Sequence, residues 1–239
     1  MGTAFEYRRA AKEKRWGNMS RIFPRLAKAV QIAAKEGGPD PEMNAALRTA
    51  IQNAKAQNMP KANIEAAIKR SQGKDAEDYT EVNYEGKGPH GILVFVECAT
   101  DNTTRTVANV KSYFNKAGGG MVPTGSLEYM FNRKAVFEFT APDGFDIEEF
   151  ELEMIDHGLD KVEQDEQTVY AYADYTDFGT MNSALEALKI EDVKANLQRI
   201  PTSPVEYSDE QMVDIEKMLD KMEDDEDVQQ VFTLSLIHI

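Results

Sequence analysis

The stretch that decides the fold opens with Lys134-Ala135-Val136-Phe137-Glu138-Phe139-Thr140 and closes with Val193-Lys194-Ala195-Asn196-Leu197-Gln198-Arg199-Ile200. Both ends read as strands. Between them a helix is expected from Asp146 to Asp156. Two short strands follow near Leu159–Val162 and Thr168–Ala173. A second helix runs from about Thr176 to Lys189, with Phe178, Met181, Leu185 and Leu188 inward. The order is βαββαβ, the split-βαβ or ferredoxin-like pattern. Pro201 and Pro204 close the unit.

Working outward, both flanks carry α/β pattern of their own. Before the unit, Tyr79-Thr80-Glu81-Val82-Asn83-Tyr84 alternates as a half-buried strand, and Ile92 to Cys98 is a continuous apolar run suited to a central strand. Asp101-Asn102-Thr103 caps a helix with Val107, Val110 and Phe114 inward, closed by Gly118-Gly119-Gly120. Ser126 to Phe131 reads as a further strand. After the unit come an acidic helix, Ser208 to Met222, and a strand, Val228 to Thr233. An early half and a late half flanking a complete unit predict one α/β domain, 77–132 plus 205–239, with another, 133–204, inserted into it.

Residues 1–76 read as a helical domain. Ser20 caps a first helix that runs through Glu36, with Pro24 in its first turn and Phe23, Leu26, Ala27 and Val30 as its apolar stripe. Gly37-Gly38 ends it. Asp40-Pro41 reads as a cap and first position for a second helix running to about Gln57. Pro60 opens a third, carrying Ile64, Ala67 and Ile68 and ending near Gly73. Alanine-rich faces bury little area, so this is expected to be the less stable part. The fold class is α+β: a helical N-terminal domain followed by two α/β domains of ferredoxin-like type, the third inserted into the second.

The charge follows the same boundary. The 239 residues hold 27 Lys and Arg against 42 Asp and Glu, a net of −15. A chain so acidic as a whole lacks the usual footprint of a nucleic-acid binder. Resolved along the chain, residues 1–74 hold 15 cations against 6 anions, a net of +9, while 75–239 hold 12 against 36, a net of −24. The switch falls where Ser71-Gln72-Gly73-Lys74 interrupts a helical pattern.

Several chemistries find little support. Cys98 is the only cysteine, which excludes an internal disulfide and any multi-cysteine metal site. His90, His157 and His238 are far apart in sequence, so no metal is expected. Gly86-Lys87-Gly88-Pro89-His90-Gly91 matches G-x-G-x-x-G but leads into a strand rather than a helix, and Pro89 removes an N–H from the supposed cradle. It reads as a hairpin loop. Gly118 to Gly120 follows a helix and reads as a C-cap. Cys98 sits inside an apolar strand, His90 has no identifiable catalytic partner, and Glu148, Glu149, Glu151 and Glu153 are spaced as a solvated helix face. No enzyme, cofactor or small-molecule substrate is expected. No run reaches the roughly 18 apolar residues of a membrane helix and Met1 to Ser20 has no apolar signal core, so a cytoplasmic protein without a membrane partner is expected.

The basic segment points to nucleic acid. Arg8, Arg9, Lys12, Lys14, Arg15, Arg21, Arg25 and Lys28 place eight cations within 21 positions. Met1 to Asn18 is expected to be an arm that orders against a partner. Arg21, Arg25 and Lys28 fall on one helical face, a ridge suited to a phosphate backbone. Trp16 and Tyr7 are placed to stack on unpaired bases. Lys55 and Lys61 join the candidate set, with Lys87, His90 and Arg105 as loop contacts.

The chain also resembles the YebC/PmpR family. The resemblance rests on Trp16-Gly17-Asn18-Met19-Ser20-Arg21-Ile22-Phe23, Gly37-Gly38-Pro39-Asp40-Pro41, Ala54-Lys55 and Asn58-Met59-Pro60-Lys61-Ala62-Asn63-Ile64. It extends to Tyr84-Glu85-Gly86-Lys87-Gly88-Pro89 and Asp101-Asn102-Thr103-Thr104-Arg105-Thr106-Val107, and spans about Ala4 to Phe232. It implies three domains, the third inserted into the second, and no enzymatic activity or cofactor. It also implies a DNA-binding transcriptional regulator. The alternative it carries is a ribosome-associated translation factor that binds ribosomal RNA and relieves stalling at difficult peptide bonds, related to mitochondrial activators of cytochrome oxidase translation. The start, Met1-Gly2-Thr3-Ala4-Phe5, departs from the family's Gly-His-Ser-Lys-Trp, and the apolar end, Leu234 to Ile239, is assigned no function. A weaker third reading is a protein-interaction adaptor using the acidic domains. The residues lean toward structured RNA, because no helix shows a base-reading set of Asn, Gln or Arg.

Overall fold

The computed structural model describes residues 19–74 and 76–235. Its helices are α1 (Met19–Gly37), α2 (Ala45–Ala56), α3 (Lys61–Ser71), α4 (Thr103–Lys116), α5 (Ile147–Ile155), α6 (Phe178–Ala187) and α7 (Asp209–Glu223). Its strands are β1 (Thr80–Lys87), β2 (Leu93–Thr100), β3 (Gly120–Val122), β4 (Phe131–Thr140), β5 (Leu159–Asp165), β6 (Thr168–Asp174), β7 (Lys194–Pro201) and β8 (Val228–Thr233). They form two four-stranded sheets, β3-β1-β2-β8 and β5-β6-β4-β7. Every strand of the second lies in sequence between β3 and β8, so the nested arrangement is present. The described residues divide into two compact units: 19–25, 76–132 and 200–235, and 26–74 with 133–199.

In the inserted sheet, α5 carries the chain from β4 past β6 to β5, and α6 carries it from β6 past β4 to β7. This double split crossover is the ferredoxin-like order expected from the βαββαβ pattern. Phe137, Phe139, Val169 and Ala171 face Phe150 and Met154 of α5 and Met181 and Leu185 of α6. Burying each large side chain contributes about 1.5–3 kcal/mol. Glu138 pairs with Lys194 at 2.7 Å.

The edge strand β7 is closed by the helical segment. The Asn53 amide of α2 donates to Ala195 O at 2.8 Å and accepts from Ala195 N at 2.7 Å. It thus stands in for a neighbouring strand. Gln52 donates to Val193 O at 2.9 Å. Asn53→Ala should cost about 1–2 kcal/mol by orphaning a half-buried N–H, and an unchanged urea midpoint would contradict this role.

The second helix begins later than Asp40-Pro41 predicts. Pro41 to Met43 form a turn, and Asp40 Oδ1 accepts from Glu42 N instead of capping a helix. The cap is Asn44, whose Oδ1 accepts from Leu47 N at 3.0 Å while its Nδ2 donates to Ala33 O at 2.7 Å and Gly38 O at 2.8 Å. One buried amide therefore ends α1 and starts α2. Helix α3 follows Pro60 as expected. The buried apolar side chains of this segment are Val30, Leu47, Met59 and Ile64, with alanines 33, 34, 54 and 67 between them.

In the other unit, Val94, Val96 and Cys98 of β2 pack under Val110 and Phe114 of α4 and Ile215, Met218 and Met222 of α7. Phe95 on the opposite face meets Leu127, Phe131, Phe232 and Leu234. Leu234, given no function from sequence, is thus a core residue, 3% exposed. Residues 236–239 lie outside the described residues.

The strand expected at Ser126–Phe131 is absent. Residues 128–130 form a 3₁₀ turn, Phe131 opens β4, and the short strand lies earlier, at β3. The cause is Glu85, fully buried on β1, whose Oε1 accepts from Gly125 N at 2.7 Å and Oε2 from Leu127 N at 2.6 Å. Backbone donors spent on a carboxylate are withdrawn from a sheet ladder.

The glycine-rich run 86–91 ends β1 and turns into β2, as a hairpin reading requires. A Cβ on Gly86 would enter the Phe114 ring, and one on Gly119 would overlap the Lys87 carbonyl oxygen. These glycines permit close packing.

Candidate nucleic-acid interface

Of the cations expected to bind phosphate, Arg8, Arg9, Lys12, Lys14 and Arg15, together with Trp16, lie outside the described residues. The remainder occupy three settings.

Arg21 and Arg25, one turn apart on α1, converge on the C-terminal end of α7. Arg21 Nε lies 2.5 Å from Asp224 Oδ1 and its Nη1 lies 3.9 Å from Asp220 Oδ1. Arg25 Nη2 donates to the Glu223 carbonyl. A helix C-terminus concentrates partial negative charge on its last carbonyls, so arginine is favoured there. Spacing placed these two side chains on one face correctly. It gave no sign that the face is already occupied by an acidic helix end about 200 positions on. Lys28 is half-buried on the same helix.

Lys55 and Lys61 flank the turn between α2 and α3, where Asn58 takes a left-handed φ of 59° and Met59 N donates to Ala54 O at 2.9 Å. Both lysines are exposed, and Lys61 lies 3.7 Å from Glu65. Sequence reading missed three cations nearby. Arg48 is exposed two helical turns before Lys55 and donates to Pro41 O at 2.7 Å. Lys69 and Arg70 are exposed in the last turn of α3. Among the described residues Lys55, Lys69 and Arg70 have no ion-pair partner. The only available signal was the i, i+7 spacing of Arg48 and Lys55.

The loop candidates divide. Lys87 is exposed at the end of β1. His90, at φ 55°, reaches Asp214 of α7 at 2.8 Å through Nε2. Arg105 is committed internally. Its guanidinium donates to both oxygens of Asp227 at 2.9 Å and to Asp101 at 2.6 Å. Those two carboxylates raise its pKa further above the ordinary arginine value. Asp227 is 3% exposed and also accepts from Thr106 Oγ1 at 2.8 Å. Beside it, burial and the bond to Asp225 push the Tyr113 hydroxyl up. Arg105→Ala should therefore act on folding. Removing the arginine orphans the nearly buried Asp227 carboxylate and should lower the melting temperature. A variant with wild-type melting behaviour would return Arg105 to the list of surface contacts.

Cys98 is buried in β2, and no group of three His, Cys, Asp or Glu among the described residues is placed to hold a metal. Glu148, Glu149, Glu151 and Glu153 are exposed on α5. No helix among the described residues is long and apolar enough to cross a membrane.

Comparison with known proteins covers nearly the whole chain. The model of the TACO1/YebC protein N-terminal domain matches residues 3–74, and that of the TACO1/YebC second and third domain matches residues 79–234. A probable transcriptional regulatory protein of Wolinella succinogenes is 65% identical over 234 residues, covering 98% of this chain and 99% of its own. One from Helicobacter hepaticus is 60% identical over 238 residues, with the same coverage. The crystal structure of a conserved hypothetical protein from Aquifex aeolicus aligns with a TM-score of 0.78 at 34% identity, covering 90% of this chain and 89% of that one.

Proposed function

Because the chain belongs to the TACO1/YebC family, we propose that it is a non-enzymatic regulator of gene expression that binds nucleic acid through its helical segment. The observation that carries this reading is the exposed cation set Arg48, Lys55, Lys61, Lys69 and Arg70 on α2 and α3, in a segment of net +9 joined to one of net −24. Lysine and arginine displace condensed counterions from phosphates, and that release drives binding. The acidic domains are repelled by a long polyanion, which confines the contact to the helices and chosen loops. Its relatives' name, probable transcriptional regulatory protein, supports a DNA target.

A second reading, a cytoplasmic translation factor on ribosomal RNA, draws on α3. Its cations stand at the two ends, with Ala62, Asn63 and Glu65 exposed between them. This distribution suits phosphates better than base edges in a major groove. Ribosome co-sedimentation run beside duplex-DNA binding at physiological salt separates the two. Tight duplex binding with sequence preference supports the regulator of transcription. Ribosome association with weak, sequence-blind DNA binding supports the translation factor. Binding to neither contradicts both.

A further inference from the structure

We propose that the acidic end of α7 is a built-in competitor for nucleic-acid phosphate, clasping the arginines of α1 so that a polyanion must displace it to gain them. The proposal rests on the nucleic-acid reading above and adds a regulation to it. Two arginines at i, i+4 both turn to the same few residues: Arg21 to Asp224 and Asp220, Arg25 to the Glu223 carbonyl. They line a groove of about 240 Å³ whose other wall is Glu223 to Glu226. Guanidinium recognises carboxylate and phosphate with the same planar fork, so an acidic helix end and a phosphate strand are alternative partners. The local charge is strongly negative, since Asp220, Glu223, Asp224, Asp225, Glu226 and Asp227 fall within eight positions. Asp225 and Asp227 are tied to Tyr113 and Arg105, which anchors the helix end while Asp220 and Asp224 face α1.

The pair is built to open. Side-chain exposure is 26% for Arg21 and 54% for Asp224, so water and salt reach it. Exposed pairs are weak enough to exchange partners. A nucleic acid of high phosphate density wins the arginines. An isolated acidic surface does not.

The test compares Asp220→Asn with Asp224→Asn against Glu151→Gln with Glu153→Gln, a pair on exposed α5 that makes the same change in net charge. Fluorescence anisotropy is read with a labelled RNA hairpin and a labelled DNA duplex at low salt. The clasp variant should bind about three- to fivefold tighter than the α5 control, the size expected for releasing two exposed pairs. The gain should vanish when Arg21 and Arg25 are also alanine. Equal affinity of the clasp and control variants, with wild type binding normally, overturns the clasp and leaves the nucleic-acid reading standing. A gain that survives Arg21→Ala with Arg25→Ala is a bulk charge effect and also overturns it. Binding by none of the proteins overturns both.

Discussion

Glu85→Ala is expected to lower unfolding stability by about 3–5 kcal/mol. The carboxylate is fully buried and accepts from Gly125 N and Leu127 N. Removal leaves two buried backbone donors unpaired, each costing about 1–3 kcal/mol. Glu85 lies opposite Phe95 in the β1–β2 ladder, on the sheet face covered by Leu127 and Phe131. Losing it therefore frees the segment that shields Phe95. Glu85→Gln keeps the shape and one acceptor but sets an NH2 against a backbone N–H, and should cost about half as much. Urea denaturation with an unchanged slope measures both. A cost below about 1 kcal/mol for alanine would mean that apolar packing alone orders residues 123–131.

The second large effect concerns binding. Replacing Lys55, Lys69 and Arg70 together by alanine should reduce nucleic-acid affinity roughly 100-fold at physiological salt and flatten the plot of log K against log salt by about two to three units, near 0.9 per lost phosphate contact on duplex DNA. These side chains are exposed and have no ion-pair partner among the described residues, so their removal should leave the melting temperature unchanged. The same substitutions at Arg21, Arg25 and Lys28, which the sequence alone marks as the ridge, should cost less affinity, because Arg21 and Arg25 must first leave the end of α7. An unchanged salt slope in the Lys55, Lys69, Arg70 variant would remove α2 and α3 from the interface.

The inserted sheet was legible because each of its elements carries its own period and its own stop. Phe137 and Phe139 alternate inward, and Asp146 caps α5 by accepting from Glu148 N and Glu149 N. What escaped reading was decided at a distance. Asp40-Pro41 is a sound local start for a helix, but the carbonyls of Ala33 and Gly38 at the end of α1 select Asn44 instead. Ser126–Phe131 has the composition of a strand, but Glu85, some 40 positions earlier, takes its donors. Arg105 has the appearance of a surface cation until Asp227 is placed beside it. Charge along the chain separated the basic third from the acidic remainder. Which of those cations remain exposed and unpaired depends on tertiary partners that no local pattern encodes.

The central claim is that polyanion contact falls on the basic helical segment, with the β1–β2 hairpin loop as a minor contributor. Photo-crosslinking the full chain to a bound RNA or DNA and mapping the modified peptides tests it most directly. The expected crosslinks fall within residues 1–74, with a minor set at Lys87 and His90 on the hairpin. A crosslink pattern centred on the acidic inserted sheet, residues 133–199, would contradict it.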